Sequence, residues 1–187
     1  MSSLALYLLG PPRIERDGKP IEVNRRKAIA LVAYLAVTGQ SHARDSLVTL
    51  LWPEYDSSRG RAALRRTLFT LRSALGGDQI QVEGDQLSLR PFADPESGTE
   101  LWVDVVQFRH YLADCQTHGH PDSEVCPSCV APLTDAVSLA RGEFMSGFNL
   151  RDSANFDDWQ LFEAQRLRRE LDGALLKLVR GHIAQRQ

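Results

Sequence analysis

The stretch from Ser57 to Leu75, SSRGRAALRRTLFTLRSAL, constrains this chain more than any other. Leu64, Leu68, Leu71 and Leu75 recur at the spacing of one buried helix face. Arg59, Arg61, Arg65, Arg66 and Arg72 fall off that stripe, and no acid lies between Asp56 and Asp78 to balance them. A solvated surface helix alternates its charges, so this pattern predicts a helix that buries leucine and turns cations toward a polyanion. Ser57 or Ser58 is the expected N-cap, and Gly76-Gly77 the expected stop.

The rest of the chain sets that helix in contrast. Its 187 residues, 43% of them apolar, suit one large or two small domains. The net charge of −2 hides an asymmetry. Residues 25–72 hold nine Lys/Arg against Asp45, Glu54 and Asp56, whereas the part from Thr99 on holds nine basic and thirteen acidic residues. A basic block in an otherwise acidic chain points to a local polyanion-binding face. The opening apolar run is too short to span a membrane and lacks a preceding basic segment, so neither a signal peptide nor a membrane partner is expected. Three cysteines, all in the second half, argue against a disulfide framework and for a reduced, cytoplasmic setting.

In chain order, Leu4 to Leu9 predicts a strand closed by Gly10-Pro11-Pro12, and Asp17-Gly18 predicts a hairpin between Arg13–Arg16 and Ile21–Val23. Arg26 to Val37 is apolar nearly all round, as a central helix should be, with Asn24 as its expected cap and Gly39 as its stop. A third element, His42 to Leu51, is expected behind Ser41 as cap, and Trp52-Pro53-Glu54-Tyr55-Asp56 breaks it. After the arginine helix, Gln79–Val82 and Gln86–Leu89 bracket Glu83-Gly84-Asp85 as a second hairpin. Strands, three helices with the last one cationic, then a hairpin: this is the order of a winged helix-turn-helix.

The segment from Leu4 to Arg90 resembles the OmpR/PhoB-type winged helix of the bacterial antibiotic-regulatory-protein class of transcriptional activators. The residues that carry the likeness are a leading four-strand-like sheet, RRKAIALVAYLA, RDSLVTLLWPE and RAALRRTLFTLRSALG. The resemblance implies binding to double-stranded DNA, usually at direct repeats, with the arginine helix as recognition helix. It also implies that the loop of Trp52, Pro53, Glu54, Tyr55 and Asp56 faces RNA polymerase.

Residues 91–101, rich in Pro, acids and small residues, read as a linker or an irregular crossing. Beyond it, helices are expected over Phe108–Cys115, capped by Asp104, over Cys129–Met145, and over about Phe156–Ala184, the last with Trp159, Phe162, Leu167, Leu171, Leu175, Leu178 and Val179 as its stripe. VDVVQFRHYL, RGEFMSGFNL and FDDWQLFEAQRLRREL resemble the tetratricopeptide-like bacterial transcriptional activator domain that follows the winged helix in the same family. The expected architecture is therefore an α+β winged helix-turn-helix domain over residues 1–98. An all-α tetratricopeptide-like helical domain follows over 99–187. Stacked repeats need neighbours to cover both faces, which points to a truncated array or a homodimer.

For DNA contact the candidates are Arg59, Arg61, Ala62, Arg65 and Arg66 in the N-terminal half of the recognition helix, the half that reaches base edges. Arg65 and Arg66 lead, since a guanidinium can pair bidentately with guanine, although one of these two is expected to pair with an acid of the fold instead. Arg25, Arg26 and Lys27 sit where a helix N-terminus meets a phosphate, and Arg90 follows the wing. Cys115, His118, His120, Cys126 and Cys129 suggest zinc, with Cys115 and one histidine joining the CxxC. A lone CxxC behind an irregularly spaced first half favours structural thiols, so no metal and no cofactor is assigned. Nucleophile elbow, phosphate-cradling glycine loop and metalloprotease helix are all missing from the sequence, so catalysis is not expected. A rival class is a protein-interaction module whose arginine face docks an acidic partner; a further one is a zinc-dependent sensor.

Overall fold

A computed structural model describes residues 2–76, 79–90, 99–121 and 124–184. Strand β1 (Ser2–Tyr7) alternates buried Leu4 and Leu6 with half-exposed Ala5 and Tyr7. It pairs antiparallel with β2 (Arg13–Arg16), joined in turn to β3 (Lys19–Pro20) through Asp17 and Gly18, whose φ angles of 50° and 73° are those of a tight primed hairpin. The strand expected at Ile21–Val23 contracts to Lys19–Pro20. Pro20 has no amide to donate, and Ile21 returns a single bond to the Ile14 carbonyl.

Helix α1 (Arg26–Thr38) buries residues on every side and ends on Gly39 at φ 62°, whose amide bonds the Leu35 carbonyl. Its N-cap position belongs to Arg25, not Asn24, and no side chain caps it. The start of the third element also differs from expectation. His42–Ala43 form β4, and helix α2 spans Arg44–Leu51, capped by neither Ser41 nor any other side chain. Instead the carbonyl of Asp85 accepts the Arg44 amide, one of the donors a helix start leaves unpaired.

Helix α3 (Ser57–Leu75) has the expected bounds, and Leu64, Leu68, Leu71 and Leu75 are all buried. Its cap is Asp56 rather than Ser57 or Ser58: the carboxylate accepts the Arg59 amide at 2.9 Å. Gly76 follows with φ 90°, while Gly77 lies outside the described residues. Gly60 lets α2 and α3 close up, since a Cβ there would lie 2.2 Å from Val48 Cγ1. The wing is β5 (Ile80–Glu83) with β6 (Gln86–Leu89), and β4 pairs with β6 to complete a three-stranded sheet.

Most of the expected linker, residues 91–98, lies outside the described residues, but its last three positions fall in a strand. Strand β7 (Thr99–Val103) lies parallel to β1 in the register Leu4↔Leu101 and Leu6↔Val103, so the fourth strand of the leading sheet comes from beyond the wing. Helix α4 (Asp104–Gln116) begins at Asp104 itself, with Val103 as cap residue. A 3-10 turn at Pro127–Cys129 leads into α5 (Val130–Leu139), which stops well short of Met145. Its continuation is drawn back to the first sheet, where Arg141 and Met145 donate their amides to the carbonyls of Leu9 and Leu8.

Helix α6 (Ala154–Ala184) buries Phe156, Leu167, Ala174 and Gly181. The expected stripe is partly out of phase with this. Leu167 is buried and Trp159, Leu171 and Leu178 half-buried, but Phe162, Leu175 and Val179 are exposed along with Leu161, Leu176 and Ile183. One hydrophobic core runs from Leu4 through α1 and α3 to Phe156 and Leu167. Tyr34 of α1 meets Trp159 of α6 edge-on at 4.9 Å, and the Ser153 hydroxyl donates to the Leu51 carbonyl at 2.6 Å.

The junction of the halves turns on Asp104. Its carboxylate is 1% exposed and accepts the amides of Leu8, Leu9 and Val105 at 2.8–2.9 Å, with Arg141 at 3.4 Å. Burial pushes its pKa up, and those amides and Arg141 pull against that shift.

Candidate nucleic-acid interface

With the leucine stripe fixing its inner face, α3 presents Ala62, Arg65, Phe69 and Arg72 along its outer face at i, i+3 and i+4 intervals, with Arg66 alongside. Arg65, Arg66 and Arg72 are exposed, and Ala62 is half-buried. Among the described residues no acid pairs with Arg65 or Arg66. The arginine of the fold is instead Arg61. Its Nε and Nη2 reach the two Asp45 carboxylate oxygens at 2.7 Å each, and Nη1 reaches Asp85 at 3.3 Å. These bonds hold the Asp45 carboxyl below its usual range and push the Arg61 guanidinium up. Arg59 is exposed and lies over the Tyr55 ring at 4.9 Å.

Phe69 was absent from the sequence reading, and 76% of it is exposed. Its signal was available: it falls off the leucine stripe, four residues after Arg65 and three after Arg66. Among the described residues the ring packs against little, since most of it faces solvent.

The basic start of α1 divides. Arg26 donates twice to the Asn149 carbonyl and stacks over Phe148 at 4.5 Å. Lys27 pairs with Asp152 at 2.8 Å and lies over Trp52. Both therefore join the halves of the molecule, while Arg25 is exposed. Arg25, Lys27, Tyr55 and Arg66 share the wall of a groove of about 290 Å³ between the α1 N-terminus and α3. Arg90 is half-buried behind β6, its amide donating to Gln79.

The wing tip carries carboxylates. Asp85 is held by Arg61 and, at 3.8 Å, by Arg44, while Glu83 is exposed. In the 52–56 loop Trp52 is buried and Asp56 serves as cap, leaving Pro53, Glu54 and Tyr55 on the surface. No helix among the described residues is long and apolar enough to cross a membrane.

No protein-family model matches the chain. Over 74 residues it is 35% identical to the transcriptional regulatory protein EmbR of Mycobacterium bovis and of Mycobacterium tuberculosis, a match that covers 39% of this chain and 19% of each relative. The structure of Mycobacterium tuberculosis EmbR in complex with a low-affinity phosphopeptide superposes with a TM-score of 0.71 at 21% identity, over 98% of this chain and 46% of that one. The chain thus spans less than half of that solved relative. The shared fold is a winged helix followed by a helical part, in agreement with the resemblance to antibiotic-regulatory-protein-type activators carried by the sequence motifs.

Proposed function

We propose that this chain is the DNA-reading and helical part of a sequence-specific transcriptional regulator, an activator working in the cytoplasm. The observation that carries this reading is the outer face of α3, where Arg65, Arg66, Phe69 and Arg72 stand exposed and Arg65 and Arg66 lack an acid partner among the described residues. In this reading α3 enters the major groove, Arg65 and Arg66 pair with guanine edges or phosphates, and Phe69 meets a thymine methyl. Arg25 and Arg66, on the wall of one groove, clamp a phosphate at the start of α1. Arg59 and Ala62 approach the groove from the N-terminal turns. Arg61 and Arg90 act from behind: Arg61 orients the wing through Asp45 and Asp85, and Arg90 closes its base. The acids of the wing tip repel phosphate, so the wing contributes position rather than charge.

Residues 1–98 form the DNA-reading domain in this proposal, and 99–187 the helical one. Duplex DNA with direct repeats is the target, and Pro53, Glu54 and Tyr55 offer the surface to RNA polymerase. The helical part supports pairing with a second copy. Activation is then recruitment, in which simultaneous contacts to DNA and polymerase raise the occupancy of the promoter without any chemical step. Support comes from the winged-helix fold and from the likeness to EmbR, a transcriptional regulatory protein.

Fluorescence anisotropy with a pool of random duplexes, at low and moderate salt, tests the reading. Affinity that falls steeply with salt, and falls again in the Arg65→Ala/Arg66→Ala variant, supports it, because counterion release accompanies phosphate contact. Folded protein with no affinity for duplexes at low salt overturns it in favour of an acidic protein partner.

A further inference from the structure

The segment between α4 and α5 gathers four metal-ligating side chains that DNA reading does not use. His118 Nδ1 lies 3.1 Å from Cys129 Sγ and 3.4 Å from Cys126 Sγ. His120 Nε2 lies 3.1 Å from Cys129 Sγ, and the two sulfurs are 3.5 Å apart. All four donor atoms fall within 4.8 Å of one another. A tetrahedral zinc with bonds of about 2.3 Å to sulfur and about 2.0–2.1 Å to nitrogen sets its ligands roughly 3.3–3.8 Å apart. The quartet is thus close to the dimensions of a filled site.

The groups behind the quartet are arranged for the same end. His120 Nδ1 lies 3.0 Å from the Pro121 carbonyl. A carbonyl only accepts, so Nδ1 carries the proton and Nε2 turns its lone pair toward the sulfurs, the orientation that metal-bound histidines acquire from an outer hydrogen bond. The amides of Ser128 and Cys129 point at Cys126 Sγ. The 3-10 turn at Pro127–Cys129, closed by the Cys129 amide on the Cys126 carbonyl at 3.0 Å, fixes the two cysteines relative to each other.

Cys115 does not belong to the set. It is buried, its Sγ reaching the Cys129 carbonyl at 3.8 Å, in a small cluster with Cys129, Leu133 and Ala174. Spacing alone points to Cys115 and one histidine joining the CxxC. The fold selects both histidines and leaves Cys115 in the core.

We propose that His118, His120, Cys126 and Cys129 bind one zinc ion as a closed structural site. Four protein ligands leave no position for a substrate, and the thiolate–imidazole set selects zinc over the hard cations magnesium and calcium. The ion staples the α4–α5 connection against α6, where Val125 and Val130 pack so closely on Gly181 that a Cβ would come within 3.1 and 3.0 Å of them. Among the described residues the local core consists of Cys115, Cys129, Leu133 and Ala174, and metal binding supplies the folding free energy that so small a cluster lacks.

The test uses untagged full chain purified under reducing conditions without added metal, and two measurements. Elemental analysis by mass spectrometry is expected to find one zinc per chain. Cobalt titrated into reduced, metal-stripped protein is expected to saturate at one equivalent, with the intense visible bands of a tetrahedral centre and a thiolate charge-transfer band. Cys115→Ser keeps both signals; Cys126→Ser halves the charge-transfer intensity and weakens zinc binding by roughly 100-fold. Zinc that stays far below one equivalent even after it is added to reduced protein overturns the proposal. So does a weak octahedral cobalt spectrum, or equal metal loss in Cys115→Ser and Cys126→Ser. A metal-free Cys126–Cys129 disulfide that forms at once in air would assign the pair to redox chemistry instead.

Discussion

The guanidinium of Arg61 grips the Asp45 carboxylate through two parallel bonds of 2.7 Å, across the gap between α3 and α2. This fork occupies one arginine of the cationic helix, so the proposed base contact falls to its neighbours Arg65 and Arg66. It also makes acid sensitivity a local matter. Asp45 is held below the usual carboxyl range by Arg61, and Asp152 by Lys27. A depressed pKa adds stability that is present above the unfolded value of about 3.9 and lost as pH falls through the folded one. The urea midpoint is therefore expected to fall below about pH 4, and Asp45→Asn and Asp152→Asn each to flatten that fall.

Phe69→Ala separates binding from stability. The side chain is 76% exposed, so the melting transition should stay within about 0.5 kcal/mol of wild type. Duplex affinity should drop by about 1 kcal/mol or more if the ring meets a thymine methyl. Anisotropy and calorimetry on the same preparation decide it; unchanged affinity removes Phe69 from the interface.

Asp104→Ala strands the amides of Leu8 and Leu9 inside the molecule. Each unsatisfied buried donor costs about 1–3 kcal/mol, so denaturant unfolding should show a loss of about 2–6 kcal/mol. A loss under 1 kcal/mol would mean that water reaches the junction.

Gly60→Ala sets helix propensity against space. Alanine gains up to about 1 kcal/mol in a helix, but its Cβ would lie 2.2 Å from Val48 Cγ1, and overpacking costs about 1–3 kcal/mol. Net destabilisation is expected, with a favourable coupling when Val48→Ala is added, read from a double-mutant cycle.

Arg65→Ala and Arg66→Ala differ in what they remove. A phosphate contact lowers affinity uniformly and reduces the salt slope by about 1, whereas a base contact costs about 1–3 kcal/mol and relaxes preference at one position. Selection of binding sites by each variant, with titrations at several salt concentrations, assigns the two roles.

How much of this was legible in the sequence depended on how far apart the deciding residues are. Helix α3 was fully legible in its bounds, because nineteen residues carry one strong period and turn breakers flank them. Its cap was not, since Asp56, Ser57 and Ser58 are all good capping residues and only geometry chooses among them. Strand β7 escaped the reading because its partner is Leu4, nearly a hundred residues earlier, and a five-residue strand beside a Pro-rich stretch has no local signature. In α6 apolar residues occur in two phases, and packing against α2 and α5 leaves Phe156, Leu167, Ala174 and Gly181 buried and Phe162 and Val179 exposed. The candidate metal ligands were all visible, but Cys115 could be told from the histidines only once α4 had turned it inward.

The parallel pairing of β1 with β7 bears on how such a protein can be taken apart. A fragment ending at the wing keeps every helix of the winged-helix unit yet loses the strand that flanks β1, and bares Leu4 and Leu6 along an open sheet margin. Bare margins recruit whatever strand is nearest, so the fragment should self-associate where the longer chain does not. The winged helix is not a detachable cassette: it borrows a strand from the module it precedes, and any cut between the two has to leave that strand in place.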